Sequence, residues 1–195
     1  MRKIELAPSA ALFFLLAAWL DPFGAFGPFL LAAAEHELAH LAALRLCGVR
    51  VEGIRLGFGD AQIRTGFLGW RAEFICALAG PAANLLSFPA ARIRFPVFAA
   101  VSLLLGLFNL LPMPPLDGGR MLRAVLLAGP LSGRTDAICI WAGMATGAAL
   151  LLAAWRAAVC WQTGLWPFAA AALLLVRVLL QSTGEKSVAF PAIRG

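Results

Sequence analysis

Long apolar runs broken by charged positions dominate the chain. Six stretches carry no Asp, Glu, Lys or Arg: residues 6–20, 22–34, 74–91, 95–116, 137–155 and 157–176. The last four have 18 to 22 residues, close to the roughly 20 that a helix needs to cross the hydrocarbon core of a bilayer. They are apolar all round, which excludes an outer-membrane barrel, whose strands alternate apolar and polar positions. Six transmembrane helices are therefore expected. The first takes 6–20, and Asp21-Pro22-Phe23-Gly24 is a tight turn. The second runs from about Ala25 to Leu46, with charged residues inside it. Met1-Arg2-Lys3 before an apolar run also fits a cleaved signal peptide. No small-x-small site follows Leu20 closely and the next apolar run begins at once, which favours a span.

The period changes to two after the second helix. Val49-Arg50-Val51-Glu52-Gly53-Ile54-Arg55-Leu56 alternates, Gly57-Phe58-Gly59-Asp60 is a turn, and Ala61-Gln62-Ile63-Arg64-Thr65 resumes the alternation. This predicts a short amphipathic β-hairpin. It reads as a connector ahead of the alternative, a sheet edge for an extended peptide. The expected fold is thus an all-α polytopic membrane protein of about six helices, with a cytoplasmic β-hairpin after the second.

Composition agrees. Of the 195 residues, 62% are hydrophobic and 13% charged, and the mean hydropathy is +0.86. A soluble domain has roughly a quarter charged residues. The net charge of +6 does not point to nucleic acid, because the basic residues are spread between apolar runs. With both termini placed in the cytoplasm, 13 of the 16 Lys and Arg fall on that side. This is the positive-inside pattern of a multi-pass cell-membrane protein. Cys47, Cys76, Cys139 and Cys160 show no CxxC pairing and read as buried small hydrophobes.

Glu35-His36-Glu37-Leu38-Ala39-His40 interrupts the second apolar helix and contains both histidines of the chain. One charge at the centre of a membrane helix costs roughly 2.5–3.5 kcal/mol on insertion scales, so a cluster implies a use. At i and i+4 the two imidazoles share one helix face. The pattern is HExxH: His36 and His40 bind zinc, one ion per chain, and Glu37 is general base for the water that zinc activates. Glu35 receives no role.

A catalytic zinc takes three protein ligands, and no third histidine exists. Among the other carboxylates, Glu5 and Glu185 are terminal, Asp21 is expected on the far side, and Glu52 and Asp60 lie in the hairpin. Glu73 and Asp136 sit at span boundaries next to Arg71 and Arg134. Asp117 stands apart. It ends the 95–116 run, in Asn109-Leu110-Leu111-Pro112-Met113-Pro114-Pro115-Leu116-Asp117-Gly118-Gly119. The prolines forbid regular helix there. Broken backbone at membrane depth is tolerated only when buried in protein or lining a polar cavity. Asp117 is the expected third ligand. Asn109 is the candidate oxyanion donor or substrate-backbone contact. Gly80-Pro81-Ala82-Ala83-Asn84 reads chiefly as helix packing, with a contact from Asn84 to the site as the minor alternative.

The set formed by His36-Glu37-Leu38-Ala39-His40, Ala79-Gly80-Pro81-Ala82-Ala83-Asn84 and Asn109-Leu110-Leu111-Pro112 through Asp117-Gly118-Gly119 resembles the signature of the site-2 protease family of intramembrane zinc metalloproteases. The resemblance covers about half of the chain. It implies His36, His40 and Asp117 as zinc ligands, Glu37 as base, Asn109 as a substrate-contacting residue, and hydrolysis of a peptide bond in or beside a membrane segment. The size and span plan are similar to the branch containing stage IV sporulation protein FB, which implies a sporulation sigma-factor precursor as substrate. A single domain over 1–195 is expected, with its core motifs in 25–128 and no PDZ or CBS domain. A housekeeping protease acting on an anti-sigma factor or on signal-peptide remnants is the nearest variant. The expected partners are a membrane-associated protein substrate, the lipid bilayer and a membrane-protein inhibitor or regulator, with no nucleic acid. The active site is expected near the cytoplasmic leaflet. The alternative function is a proteolytically inactive relative acting as a membrane-segment-binding chaperone or adaptor. A transporter with a broken helix would leave HExxH unexplained.

Overall fold

The computed structural model describes residues 3–6, 24–56, 61–66, 68–161, 171–176 and 178–179. Nearly all of the first expected span, 6–20, and the middle of the sixth, 157–176, lie outside the described residues, as does the expected hairpin turn at 57–60. The chain divides into two compact units, one built from residues up to Phe108 and the other from Asn109 onward.

The first unit contains β1 (Lys3–Leu6), α1 (Phe26–Leu46), β2 (Val51–Leu56), β3 (Ala61–Thr65), α2 (Trp70–Ala91) and most of α3 (Pro96–Asn109). β2 and β3 pair antiparallel, with Ile54 opposite Ile63 and an irregularity between Val51 and Gly53. β1 joins the free edge of β2 in parallel, Ile4 opposite Ile54. No pattern along the chain marks this third strand, because four residues beside an apolar run carry no readable period.

α1 ends where Gly48 turns left-handed at φ +70°. The Val49 N–H reaches the Leu44 carbonyl and the Gly48 N–H the Arg45 carbonyl, 2.9 and 3.0 Å. This is a Schellman closure, which uses carbonyls that the helix end would otherwise orphan. It turns the chain so that Val49 packs on Ala43, Leu44, Leu68 and Cys76.

α2 buries Glu73, Cys76, Ala77, Gly80, Pro81 and Asn84. Steps of three and one keep these on a single helix face. Glu73, expected as a boundary charge, is only 2% exposed. α3 stops at Asn109 and does not fill 95–116, because Pro112, Pro114 and Pro115 cannot donate to a helix ladder. Its Gly106 sits against α2, where a Cβ would lie 3.1 Å from the Pro81 carbonyl and 3.2 Å from the Asn84 Cβ.

In the second unit Leu110–Leu116 is irregular, and Met113 is fully buried against Leu116 and Val178. Then follow α4 (Asp117–Ala128), a 3-10 turn at Ser132–Arg134 and α5 (Thr135–Trp161). Residues 171–176 and 178–179 are helical as well. α5 corrects one expected boundary. The charge pattern places the fifth span at 137–155 with Arg156 in the loop beyond it, yet the helix continues through exposed Arg156 to Trp161. A long arginine can carry its charge away from an apolar surface without ending the helix.

Two described helices are long and apolar enough to cross a membrane, Trp70–Ala91 and the helix within Ser132–Cys160. The other expected spans differ for identifiable reasons. α1 is 21 residues long but carries Glu35, Glu37 and Arg45, and α3 has only 14 residues. All four cysteines are free. Cys76 and Cys139 are buried, Cys47 is half-buried, and Cys160 is exposed, against the expectation for it.

Candidate metal centre

His36 and His40 stand one turn apart on α1 and are buried at 5% and 6% exposure. Their rings meet edge to face, with centroids 4.6 Å apart. A buried imidazole needs a partner for each nitrogen that faces protein. His40 Nδ1 donates to the Cys76 carbonyl at 2.6 Å. A carbonyl only accepts, so this contact places the proton on Nδ1 and leaves the lone pair on Nε2. His36 Nδ1 lies 2.6 Å from Asn84 Oδ1, and Asn84 Nδ2 donates to the Ala32 carbonyl at 3.0 Å.

The Nε2 atoms of both rings face Gly80. A Cβ there would lie 2.5 Å from His40 Nε2 and 2.7 Å from His36 Nε2. No side chain other than hydrogen fits that distance, so the glycine is a steric requirement of the pair. One residue before His36, half-buried Glu35 accepts a 2.5 Å hydrogen bond from Ser87 Oγ of α2. Glu37 follows His36 and is half-buried.

In the second unit Asp117 is the first residue of α4 and is 6% exposed. A carboxylate is favoured at a helix N-terminus by the backbone dipoles. Arg120 Nη1 donates to Asp117 Oδ1 at 3.1 Å, one turn later. Gly118 and Gly119 let this first turn lie against the backbone of Leu110, Leu111 and Met113, positions where a Cβ would collide. Asn109, the last residue of α3, is half-buried.

Among the described residues, His36 and His40 of the first unit and Asp117 of the second are buried side chains of metal-ligating type. The donor set, two imidazoles and one carboxylate, is one that zinc enzymes use. The imidazoles fit a metal in orientation too, since the oxygen contacts at Nδ1 leave Nε2 as the coordinating atom. Asn84 is the residue whose place the sequence underweighted. It is fully buried and bonded to His36 (its signal was a lone amide one turn after Gly80 in an apolar run). The contribution of Cys76 comes from its carbonyl, for which a side-chain pattern carries no signal.

Comparisons with known proteins point the same way. The family model for Peptidase family M50 matches residues 88–151. A Mycobacterium tuberculosis protein named "Putative zinc metalloprotease Rip3" is 42% identical over 128 residues, 55% of this chain and 32% of that protein. A Synechocystis protein named "Putative zinc metalloprotease sll0528" is 32% identical over 112 residues, 49% of this chain and 29% of that protein. The chain thus spans about a third of the length of these curated relatives. The solved structure of the site-2 protease from Methanocaldococcus jannaschii superposes with a TM-score of 0.67 at 21% identity, covering 98% of this chain and 94% of that one. The fold is that of a site-2 protease. Family model, relatives and fold together support the M50 and site-2 protease family.

Proposed function

We propose that this chain is a zinc metalloendopeptidase of site-2 protease type, which hydrolyses a peptide bond in or beside a membrane segment of another protein. The observation that carries the reading is the HExxH pair itself. Both imidazoles are tied at Nδ1, both turn Nε2 toward Gly80, and Asp117 is a buried carboxylate at the start of α4. His36, His40 and Asp117 would hold the ion. Bound zinc would supply Lewis acidity, polarising a carbonyl and lowering the pKa of water.

The chain's own groups do the rest. Glu37 follows a ligand directly on α1. A carboxylate there takes the proton from the attacking water and returns it to the leaving amide nitrogen. Asn109 offers an amide N–H to the substrate backbone or to the oxygen that gains charge as the carbonyl is attacked. Arg120 holds the Asp117 carboxylate in one orientation through its 3.1 Å contact. The cleaved segment must leave its helix first, because a helical peptide unit spends its N–H and C=O on its own ladder.

The surroundings follow from the charge pattern. Six spans with both termini in the cytoplasm put Arg45 and Arg50 at the inner surface and His40 about 7–8 Å below it, at about 1.5 Å per residue. The chemistry then runs in the cytoplasmic leaflet, where water can enter from one side. The substrate is a membrane-associated regulatory protein, a class that includes sporulation sigma-factor precursors. A membrane-protein inhibitor would act on the same site. Purified protein should cut a reconstituted membrane-segment substrate, and Glu37→Gln should keep the zinc and lose at least about 100-fold in rate, the low end of a general-base contribution. Substantial cleavage by that variant removes Glu37 from the role.

A further inference from the structure

We infer that Asn84 is the positioning residue of the metal centre, a side-chain amide that locks His36 in its metal-binding tautomer and ties that ring to the helical turn beneath it. The inference rests on the zinc reading above and adds to it a residue that neither binds metal nor touches substrate.

The orientation of the amide follows from its partners. The Ala32 carbonyl can only accept, so the Asn84 atom facing it at 3.0 Å is the NH₂ group. The opposite atom is then Oδ1, which also only accepts. His36 Nδ1, 2.6 Å from it, must carry the proton. The lone pair of His36 is left on Nε2, the atom turned toward Gly80. Two contacts, each with one permitted direction, thus settle the state of a ring that could otherwise take either tautomer.

Ala32 is four residues before His36. In an α-helix its carbonyl accepts the backbone N–H of His36. Asn84 therefore holds both ends of one unit, the ring through Oδ1 and the turn that carries the ring through Nδ2. The amide is fixed in its turn. Asn84 is fully buried, with α1 on one side and Gly106 of α3 close to its Cβ on the other. Asparagine alone meets these demands. Leucine keeps the branching and the number of side-chain heavy atoms, without donor or acceptor. Aspartate keeps the acceptor for Nδ1 but turns a second oxygen toward the Ala32 carbonyl.

The other α1–α2 rungs show what is particular to this one. His40 is held by a backbone carbonyl, that of Cys76, which substitution of Cys76 cannot remove. Ser87 donates to Glu35, while the partners of the two rings at Nδ1 are Asn84 and the Cys76 carbonyl. Ser87→Ala therefore loosens the same helix pair without altering the rings, and it separates positioning from packing.

The test uses the full-length protein in detergent or nanodiscs, with Zn²⁺ as probe in competition with a chromophoric chelator. It is joined by ¹⁵N spectra of histidine-labelled metal-free protein, in which the chain's 2 histidines give a spectrum of only two rings. Wild type should show both rings protonated at Nδ1. Asn84→Leu should move the His36 signals to a mixture of tautomers and weaken zinc about 10–100-fold, the usual effect of removing a ligand's hydrogen-bond partner. Asn84→Asp should stay within about tenfold of wild type, and Ser87→Ala should match wild type in both readouts. Wild-type affinity and unchanged tautomer in folded Asn84→Leu would overturn the assignment. If Asn84→Leu does not fold, Asn84→Asp decides: an affinity as low as that of His36→Ala also overturns it. A wild type that binds no zinc would sink the zinc reading instead, while the tautomer shift would still report on the Asn84 contact.

Discussion

Replacing Gly80 with alanine adds one methyl group at the point where the two imidazoles converge. The new Cβ would stand 2.5 Å from His40 Nε2 and 2.7 Å from His36 Nε2, whereas ordinary contact begins at 3.4 Å. Each nitrogen would have to retreat by about 0.7–0.9 Å. Zinc–ligand distances hold to within about 0.2 Å, so a movement several times larger cannot leave both imidazoles in the coordination sphere. The rings cannot simply swing aside, because their Nδ1 atoms are tied to Asn84 and to the Cys76 carbonyl. Zinc affinity should fall by at least about 10–100-fold, the range seen when ligand geometry is disturbed, which is about 1.4–2.7 kcal/mol. The assay is chelator competition on purified protein, with thermal melting of the metal-free form as the check on folding. Gly27→Ala on α1 is the control. A Cβ there meets nothing within 4 Å, so zinc affinity should not change. Folded Gly80→Ala with zinc affinity within about twofold of wild type would refute the placement of the two Nε2 atoms.

Two further outcomes follow from other parts of the chain. Gly48 closes α1 at φ +70° with open space around it, so Gly48→Ala should cost about 1 kcal/mol from left-handed strain alone, read as a lower melting temperature with zinc affinity unchanged. In a cysteine-depleted background, single cysteines at Arg55 and Arg120 should react with a membrane-impermeant reagent in inside-out vesicles and not in right-side-out ones. Labelling from the outer face would reverse the proposed topology.

The candidate ligands stand out in the sequence more than the residues around them do. His36 and His40 announce themselves, because ionisable residues four apart in an apolar run have no bland reason to be there. Asp117 emerged from the short supply of carboxylates and from the prolines before it. Asn84 was visible only as one polar position in a packing motif, since pattern along one helix does not show which ring of another helix it meets. Helix ends were legible where charge alone marks a boundary, as at Arg92, the residue that follows α2. They failed where charge misleads. Arg156 suggests a loop by its charge and lies within α5. The apolar run extends to 116, yet the three prolines within it forbid helix and α3 ends at Asn109. β1 and α4 were missed outright. β1 owes its strand to a partner 50 residues away, and α4 begins at two glycines whose close backbone contacts are a tertiary fact.

Metal analysis of the purified chain tests the central claim most directly, that His36, His40 and Asp117 together hold a catalytic zinc. Wild-type protein should carry about one zinc per chain. His36→Ala, His40→Ala and Asp117→Ala should each fall to a small fraction of that in folded protein. Folded wild type without zinc, or Asp117→Ala that retains the full complement, would contradict it.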